Sequence, residues 1–308
     1  MLTENAYKIL ETVHQGQNSD VYKVETDLDR RVAAVKTCAG IILSGTQLAT
    51  LNKEFELLGS IDIKGVPKAY ELIDKGRNME IVMEYFPYPS LRQLLPVQRP
   101  TLFEATSLFK NLAGILEEVH KAGIAHGDIT PGNILFDRTT GETVLIDFGA
   151  ALDIPLQSQD GLEPEAAAGT IAYMSPEQTG RVNRSLDYRT DIYSFGVSMY
   201  KTLTGRLPFE SEDVSEIIHS HIAVQPSPPS KVDPGIPDAL SGIVIKCMAK
   251  DAGDRYQSAY GLKEDLSRCL KELEEKGDIS PFTPGDSDLN DRFLFPERII
   301  GREKNLPN

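Results

Sequence analysis

The chain carries the run His126-Gly127-Asp128-Ile129-Thr130-Pro131-Gly132-Asn133, followed by Asp147-Phe148-Gly149, so Asn133 lies five positions after Asp128 and Asp147 nineteen after it. Two carboxylates and an amide oxygen are the hard donors that Mg²⁺ prefers, with room left for phosphate and water. Brought together by a fold, such groups could serve as a base and two metal ligands beside one phosphate. An Asp-Phe-Gly by itself is commonly a turn after a strand. Here Thr143-Val144-Leu145-Ile146 reads as a strand leading straight into it, with the 126–133 loop just before.

These residues need elements to hold them. The first eighty or so residues read as short strands with one helix. In Val32-Ala33-Ala34-Val35-Lys36, a period of two puts Val32, Ala34 and Lys36 on one face, a small apolar wall with a single ammonium. Leu48, Leu51, Phe55, Leu58 and Ile61 recur at three- and four-residue steps and predict a helix over 46–61. A strand over Met79 to Tyr85 leads out of this part. Beyond Pro87 and Pro89 the pattern changes to long amphipathic helices, first with Leu102, Ala105, Leu108, Phe109, Leu112, Ile115, Leu116 and Val119 on one face and Gly123 as its stop. From about residue 275 the composition turns to Gly, Asp, Pro and Ser, which reads as a linker.

A length of 308 residues with 40% hydrophobic and 25% charged side chains suits a globular chain with a sizeable core. Its formal charge of -14 argues against a broad nucleic-acid-binding face. Cys38, Cys247 and Cys269 lie far apart with no CxxC spacing, so neither a disulfide framework nor a zinc site is expected. No apolar run approaches the ~18 residues of a membrane span. With no basic-then-apolar leader at the start either, a reducing cytoplasm is the expected compartment.

The catalytic-loop run and the Asp-Phe-Gly resemble the corresponding motifs of the protein-kinase-like superfamily. The fold this implies is α+β and bilobal, with ATP and Mg²⁺ between a small β-rich N-lobe and a larger α-helical C-lobe. The resemblance makes Asp128 the acceptor and orienter of a substrate hydroxyl, and Asn133 and Asp147 the Mg²⁺ ligands. It makes Lys36, in Ala34-Val35-Lys36, the lysine that holds the α- and β-phosphates, with Glu54 rather than Glu56 as its helix partner. Val13, Gly16, Val21, Ala34, Met83, Glu84, Phe86 and Leu135 would line the nucleotide. Aligned on Val21-Tyr22, the three glycines of the family's phosphate loop fall at His14, Gly16 and Ser19, so only Gly16 survives. His126 is expected to be a packed structural residue.

Two departures bear on mechanism. Gly127 stands where regulated protein kinases carry an Arg that pairs with an activation-loop phosphate, so a constitutively ordered segment is expected. Between Asp147 and Glu177 the Ser and Thr side chains are Ser158, Thr170 and Ser175, with Thr170 expected near the catalytic aspartate. Thr130 stands where serine/threonine kinases carry a Lys on the transferring phosphate. By analogy with losing one transition-state donor, that would cost on the order of 10² to 10³ in rate unless another cation replaces it.

His126-Gly127-Asp128 also resembles the loop of aminoglycoside and choline phosphotransferases. Residues further along the chain favour a protein substrate: Gly169-Thr170-Ile171-Ala172-Tyr173-Met174-Ser175-Pro176-Glu177 resembles a peptide-seating segment. Asp191 resembles the anchor of the catalytic loop, and Arg255 the partner of Glu177. The implied function is phosphorylation of Ser or Thr on proteins in signalling. A nucleotide-binding pseudokinase and a small-molecule phosphotransferase remain open as alternatives. The stretch from Ser175 to Asp191, with His219-Ser220-His221 and Asp254-Arg255-Tyr256, further resembles large bacterial and fungal proteins in which such a domain precedes AAA-type ATPase, GAF sensor and histidine kinase modules. His219 and His221, lacking a third ligand, are expected at a surface or docking site. The expected organisation is a kinase domain over 7–275, N-lobe to about 86 and C-lobe from about 87. Residues 276–308 would then be a linker and the start of the downstream ATPase.

Overall fold

The computed structural model describes residues 7–16, 19–27, 29–38, 45–75, 78–153, 171–182, 184–286 and 288. Alternating apolar residues separated by tight turns make the first part a five-stranded antiparallel sheet in the order β1-β2-β3-β5-β4. The strands are β1 (Tyr7–Gln15), β2 (Ser19–Thr26), β3 (Val32–Cys38), β4 (Ala69–Asp74) and β5 (Met79–Glu84). The alternation of β3 divides its residues between two clusters. Ala33 and Val35 join Val24, Ile73 and Val82 on one face, while Ala34 joins Cys38, Leu51, Ile81 and Met83 on the other. Lys36 shares the face of Ala34, opposite Val21 on β2 and Ile81 on β5. Helix α1 (Gly45–Ser60) covers that face with Leu51 and Leu58 buried, within a residue of the expected span.

After β5 the chain crosses Pro87 and Pro89 into a short helix, α2 (Leu91–Leu94), and then α3 (Leu102–Lys121). A reciprocal cap starts α3: the Glu104 amide donates to Thr101 Oγ1 and the Thr101 amide to Glu104 Oε2. The apolar stripe from Ala105 to Val119 is buried as its spacing predicts. Around it lie two small ladders, β6 (Ile124–Ala125) with β9 (Leu152–Asp153) and β7 (Ile134–Phe136) with β8 (Thr143–Leu145). The helices α4 (Arg189–Thr204), α5 (Val214–Ala223), α6 (Pro229–Val232), α7 (Asp238–Cys247) and α8 (Ala259–Lys276) complete this lobe. One continuous core runs through it, with Phe109 meeting Phe195 edge to face at 5.1 Å.

Two expectations need correction. His221 is not at a surface: it is buried, with Nδ1 2.9 Å from the Tyr193 hydroxyl and its ring against Phe209. Burial, and then the charge of Lys250, push its pKa down to about 4, so the imidazole is packed there in its neutral form. The segment after 276 does not start as a free linker either. Ile279 is buried, Phe282 packs on the core beneath the Arg268 guanidinium, and the Gly285 amide donates to Asp265. Asp288 accepts from the Gln257 amide and the Ser258 hydroxyl at the start of α8. The rest of the expected linker, 289–308, lies outside the described residues. Among the described residues no helix is long and apolar enough to cross a membrane.

Candidate active site

Lys36 is buried on β3 and its ammonium sits between two carboxylates. Nζ lies 2.6 and 2.8 Å from the Glu54 oxygens and 2.7 Å from Asp147 Oδ1. Glu56, the competing partner, is exposed on the same helix. Burial works against the ammonium, but the charges of Asp147 and Glu54 outweigh it and hold the Lys36 pKa above its usual value. Burial likewise pushes the Asp147 carboxyl up, and the Lys36 charge and hydrogen bond bring it below the usual carboxylate range. Asp147 has a left-handed backbone, φ 68°, uncommon for a residue with a side chain. That turn lets Oδ1 accept from Lys36 and also from the Gly149 amide at 3.3 Å.

Helix α1 grips the Asp-Phe-Gly stretch at two further points. Glu54 Oε1 accepts from the Phe148 amide at 3.2 Å, and the ammonium of its neighbour Lys53 donates to Ala151 O at 2.7 Å.

Asp128 and Asn133 close the other side of the site. Asn133 Nδ2 donates to both the backbone oxygen (2.9 Å) and Oδ2 (2.8 Å) of Asp128, which holds the loop as one turn. Asp128 Oδ1 is buried with no hydrogen-bond partner. Burial, and then the Asp147 charge, raise the Asp128 carboxyl to about 6, against the pull of Asn133, Arg92 and Lys36. Two oxygens, Asn133 Oδ1 and Asp147 Oδ2, are engaged in no hydrogen bond among the described residues. They fit a hard cation such as Mg²⁺, which would complete its shell with phosphate and water. Among the described residues no group of three or more His, Cys, Asp or Glu side chains is arranged to hold a metal.

The loop is held from beneath by Asp191, buried in the first turn of α4. Its carboxylate accepts from the amides of His126 and Gly127, both at 2.8 Å, and meets His120 Nε2 at 2.9 Å. Gly127 has φ 79°, and a Cβ built on it would fall 2.6 Å from Ala150 O. Only glycine fits that backbone and that approach together. His126 is a packed residue: Nδ1 accepts the Asp128 amide (3.2 Å), Nε2–H donates to Ile146 O (3.1 Å), and the ring meets Phe148 edge on. Burial lowers its pKa, so the imidazole is neutral.

Val21, Ala34 and Met83 belong to one apolar cluster beside Lys36, with Ala34 opposite Met83 across β3 and β5. Glu84 ends β5, Phe86 follows it, and Leu135 lies on β7, bridged to Ser90. Val13 is exposed on β1, and the Gly16 amide closes the β1–β2 turn on Ser19 O at 3.0 Å. Thr170 and Ser158 lie outside the described residues. Further along, Glu177 and Arg255 form a buried bidentate pair at 2.6 and 2.9 Å, with the Thr190 hydroxyl on Glu177 Oε1. Four contacts were not read from the sequence: His120 on Asp191, Lys53 on Ala151, Gln178 Nε2 on Gly127 O, and Arg92 over Gly132. Only His120 left a signal, as a polar residue at the buried edge of the α3 stripe that needs a partner.

A strand lysine locked by a helix glutamate, above a loop aspartate tied to its asparagine, is the arrangement of protein kinases, and the chain belongs to that family. The sequence model of the protein kinase domain matches residues 7–266. Among curated proteins, the chain is 32% identical over 270 residues to the "Probable serine/threonine-protein kinase SCO3848" of Streptomyces coelicolor, covering 86% of this chain and 40% of that one. It is 30% identical over 306 residues to the similarly named CPE1738 of Clostridium perfringens, covering 98% and 43%. Against the serine/threonine-protein kinase PrkC of Bacillus subtilis it is 27% identical over 268 residues, covering 86% and 40%. The chain thus spans about two fifths of the length of these relatives.

Proposed function

We propose that the chain transfers the γ-phosphoryl group of ATP to a Ser or Thr hydroxyl of a protein substrate in signalling. The observation that carries this reading is the Lys36 ammonium held between Glu54 and Asp147, with the Asp128–Asn133 turn facing it. In that reading Lys36 binds the α- and β-phosphates, and Glu54 fixes where its charge lies. Asn133 and Asp147 would hold Mg²⁺, which when bound neutralises charge on the phosphates. Asp128 accepts a hydrogen bond from the substrate hydroxyl and takes its proton as the oxygen–phosphorus bond forms. The bond from that phosphorus to the ADP oxygen breaks, and ADP leaves with the electron pair. Val13, Gly16, Val21, Ala34, Met83, Glu84, Phe86 and Leu135 would line the nucleotide, and Thr170 would sit near Asp128. The stretch from Ser175 to Asp191 supports a place among multi-module signalling proteins with ATPase, sensor and histidine kinase parts.

The test uses purified protein, Mg²⁺ and γ-labelled ATP, with the protein itself and generic proteins as acceptors. Label transfer is expected, and Lys36→Met and Asp128→Asn should each reduce it at least about 100-fold. Transfer that survives both substitutions removes these assignments. ATP binding without transfer makes the chain a pseudokinase, and label on aminoglycosides or choline makes it a small-molecule phosphotransferase.

A further inference from the structure

Residues 126–133 contain no lysine or arginine, yet a guanidinium lies against them. It belongs to Arg92 of α2, whose backbone is fixed to this loop and to β7. The Arg92 amide donates to Pro131 O at 2.9 Å, the Phe136 amide to Pro89 O at 3.1 Å, and Ser90 bridges to Leu135. The side chain then crosses Gly132. A Cβ built on Gly132 would fall 2.9 Å from Arg92 Nη2, 3.0 Å from Cζ and 3.2 Å from Nε, so the planar group occupies the space a side chain there would take.

Three further observations say what this cation is for. Arg92 is exposed, and among the described residues no carboxylate or carbonyl bonds its guanidinium, in a chain with 46 acidic and 32 basic residues. Arg138 and Arg255, by contrast, are satisfied by Glu104 and Glu177. Its charge acts on Asp128 in the loop and on Tyr173 in the segment beyond. The cation that acts most strongly on Asp147 is instead Lys36, which hydrogen-bonds it. Arg92 therefore lies beside the loop that carries the base, against Gly132. A planar fork of donors with no internal partner suits a carboxylate.

We propose that Arg92 is a specificity residue: it binds the carboxylate of an acidic side chain of the protein substrate, close in sequence to the hydroxyl presented to Asp128. This rests on the kinase reading of the site. Since the side chain is exposed, substitutions at Arg92 leave the core untouched.

The test is fluorescence anisotropy with labelled serine peptides in which Glu is stepped through about four positions on either side of the serine, each beside its Gln counterpart. At one or two positions Glu should tighten binding about 3- to 10-fold. That advantage should vanish in Arg92→Gln, persist in part in Arg92→Lys, pass to Lys peptides in Arg92→Glu, and fade by about 0.5 M salt. Equal binding of Glu and Gln peptides at every position, or a Glu advantage that survives Arg92→Gln, overturns the proposal. In turnover, Arg92→Gln should raise KM for the Glu peptide and leave KM for the Gln peptide alone. An equal fall in kcat on both peptides would assign Arg92 to phosphoryl transfer and overturn it as well. If the unsubstituted chain phosphorylates no peptide, the kinase reading fails and the binding comparison still decides this one.

Discussion

Asp128 shows what a few ångströms of environment do to one carboxyl. Burial and the Asp147 charge lift it to about 6, so it is ionised and able to accept a proton only above that pH. The rate of transfer should therefore fall about tenfold per pH unit below about 6, as measured by kcat/KM across pH. Stability runs the opposite way. A carboxyl raised above its unfolded value favours the folded state while protonated, and that contribution is lost as pH rises from about 3.9 through about 6. Asp128→Asn should thus melt higher than the parent at pH 7.5 and equal to it near pH 3.5. An unchanged melting temperature at pH 7.5 would refute the raised carboxyl. At this scale the sequence was informative where spacing encodes chemistry: Asp128 and Asn133 stand in one loop, and Asp147 just past the end of β8. Arg92 was not legible, because its meaning depends on an absent side chain at Gly132, far away in sequence.

At the scale of elements, the catalytic loop is positioned by α4 as well as by its own bonds. Asp191 holds two consecutive amides and His120, so the orientation of Asp128 is set by the helix beneath it. Gly127 is the residue that permits this. Replacing it with Ala puts a Cβ at positive φ and 2.6 Å from Ala150 O, and should cost about 1–3 kcal/mol. Urea unfolding would measure it, and an unchanged midpoint would mean the loop relaxes freely. The same crowding explains why an arginine is a poor fit here, independent of any phosphate it would bind. Helices α1 and α3 were legible because their apolar residues repeat at three and four. The segment after α8 was not: Gly, Asp, Pro and Ser describe a strap as well as a linker, and only Ile279 and Phe282 decide between them.

Over the whole molecule, that strap joins the tail to α8 and the core beneath it. Asp288 bonds the residue that caps α8, Ser258, whose hydroxyl accepts from the Gly261 amide at 3.0 Å. Ending the chain after Lys276 removes Ile279 and Phe282, uncovers the core surface they pack on, and should cost about 2–4 kcal/mol, read as a lower urea midpoint. If the shortened chain is as stable as the longer one, the strap is an ornament. The bilobal plan was legible from the change of periodicity near Pro87, whereas the contacts between lobes were not, since they join residues about a hundred positions apart. One of those contacts reaches beyond stability. Lys53 and Glu54 are neighbours on a helix, about 100° apart around its axis, and both hold the stretch from Phe148 to Ala151. Rolling the helix cannot free one without straining the other, so α1 comes away as a body or stays. A wedge driven behind it should therefore silence the proposed transfer all at once, with no dimmed intermediate setting.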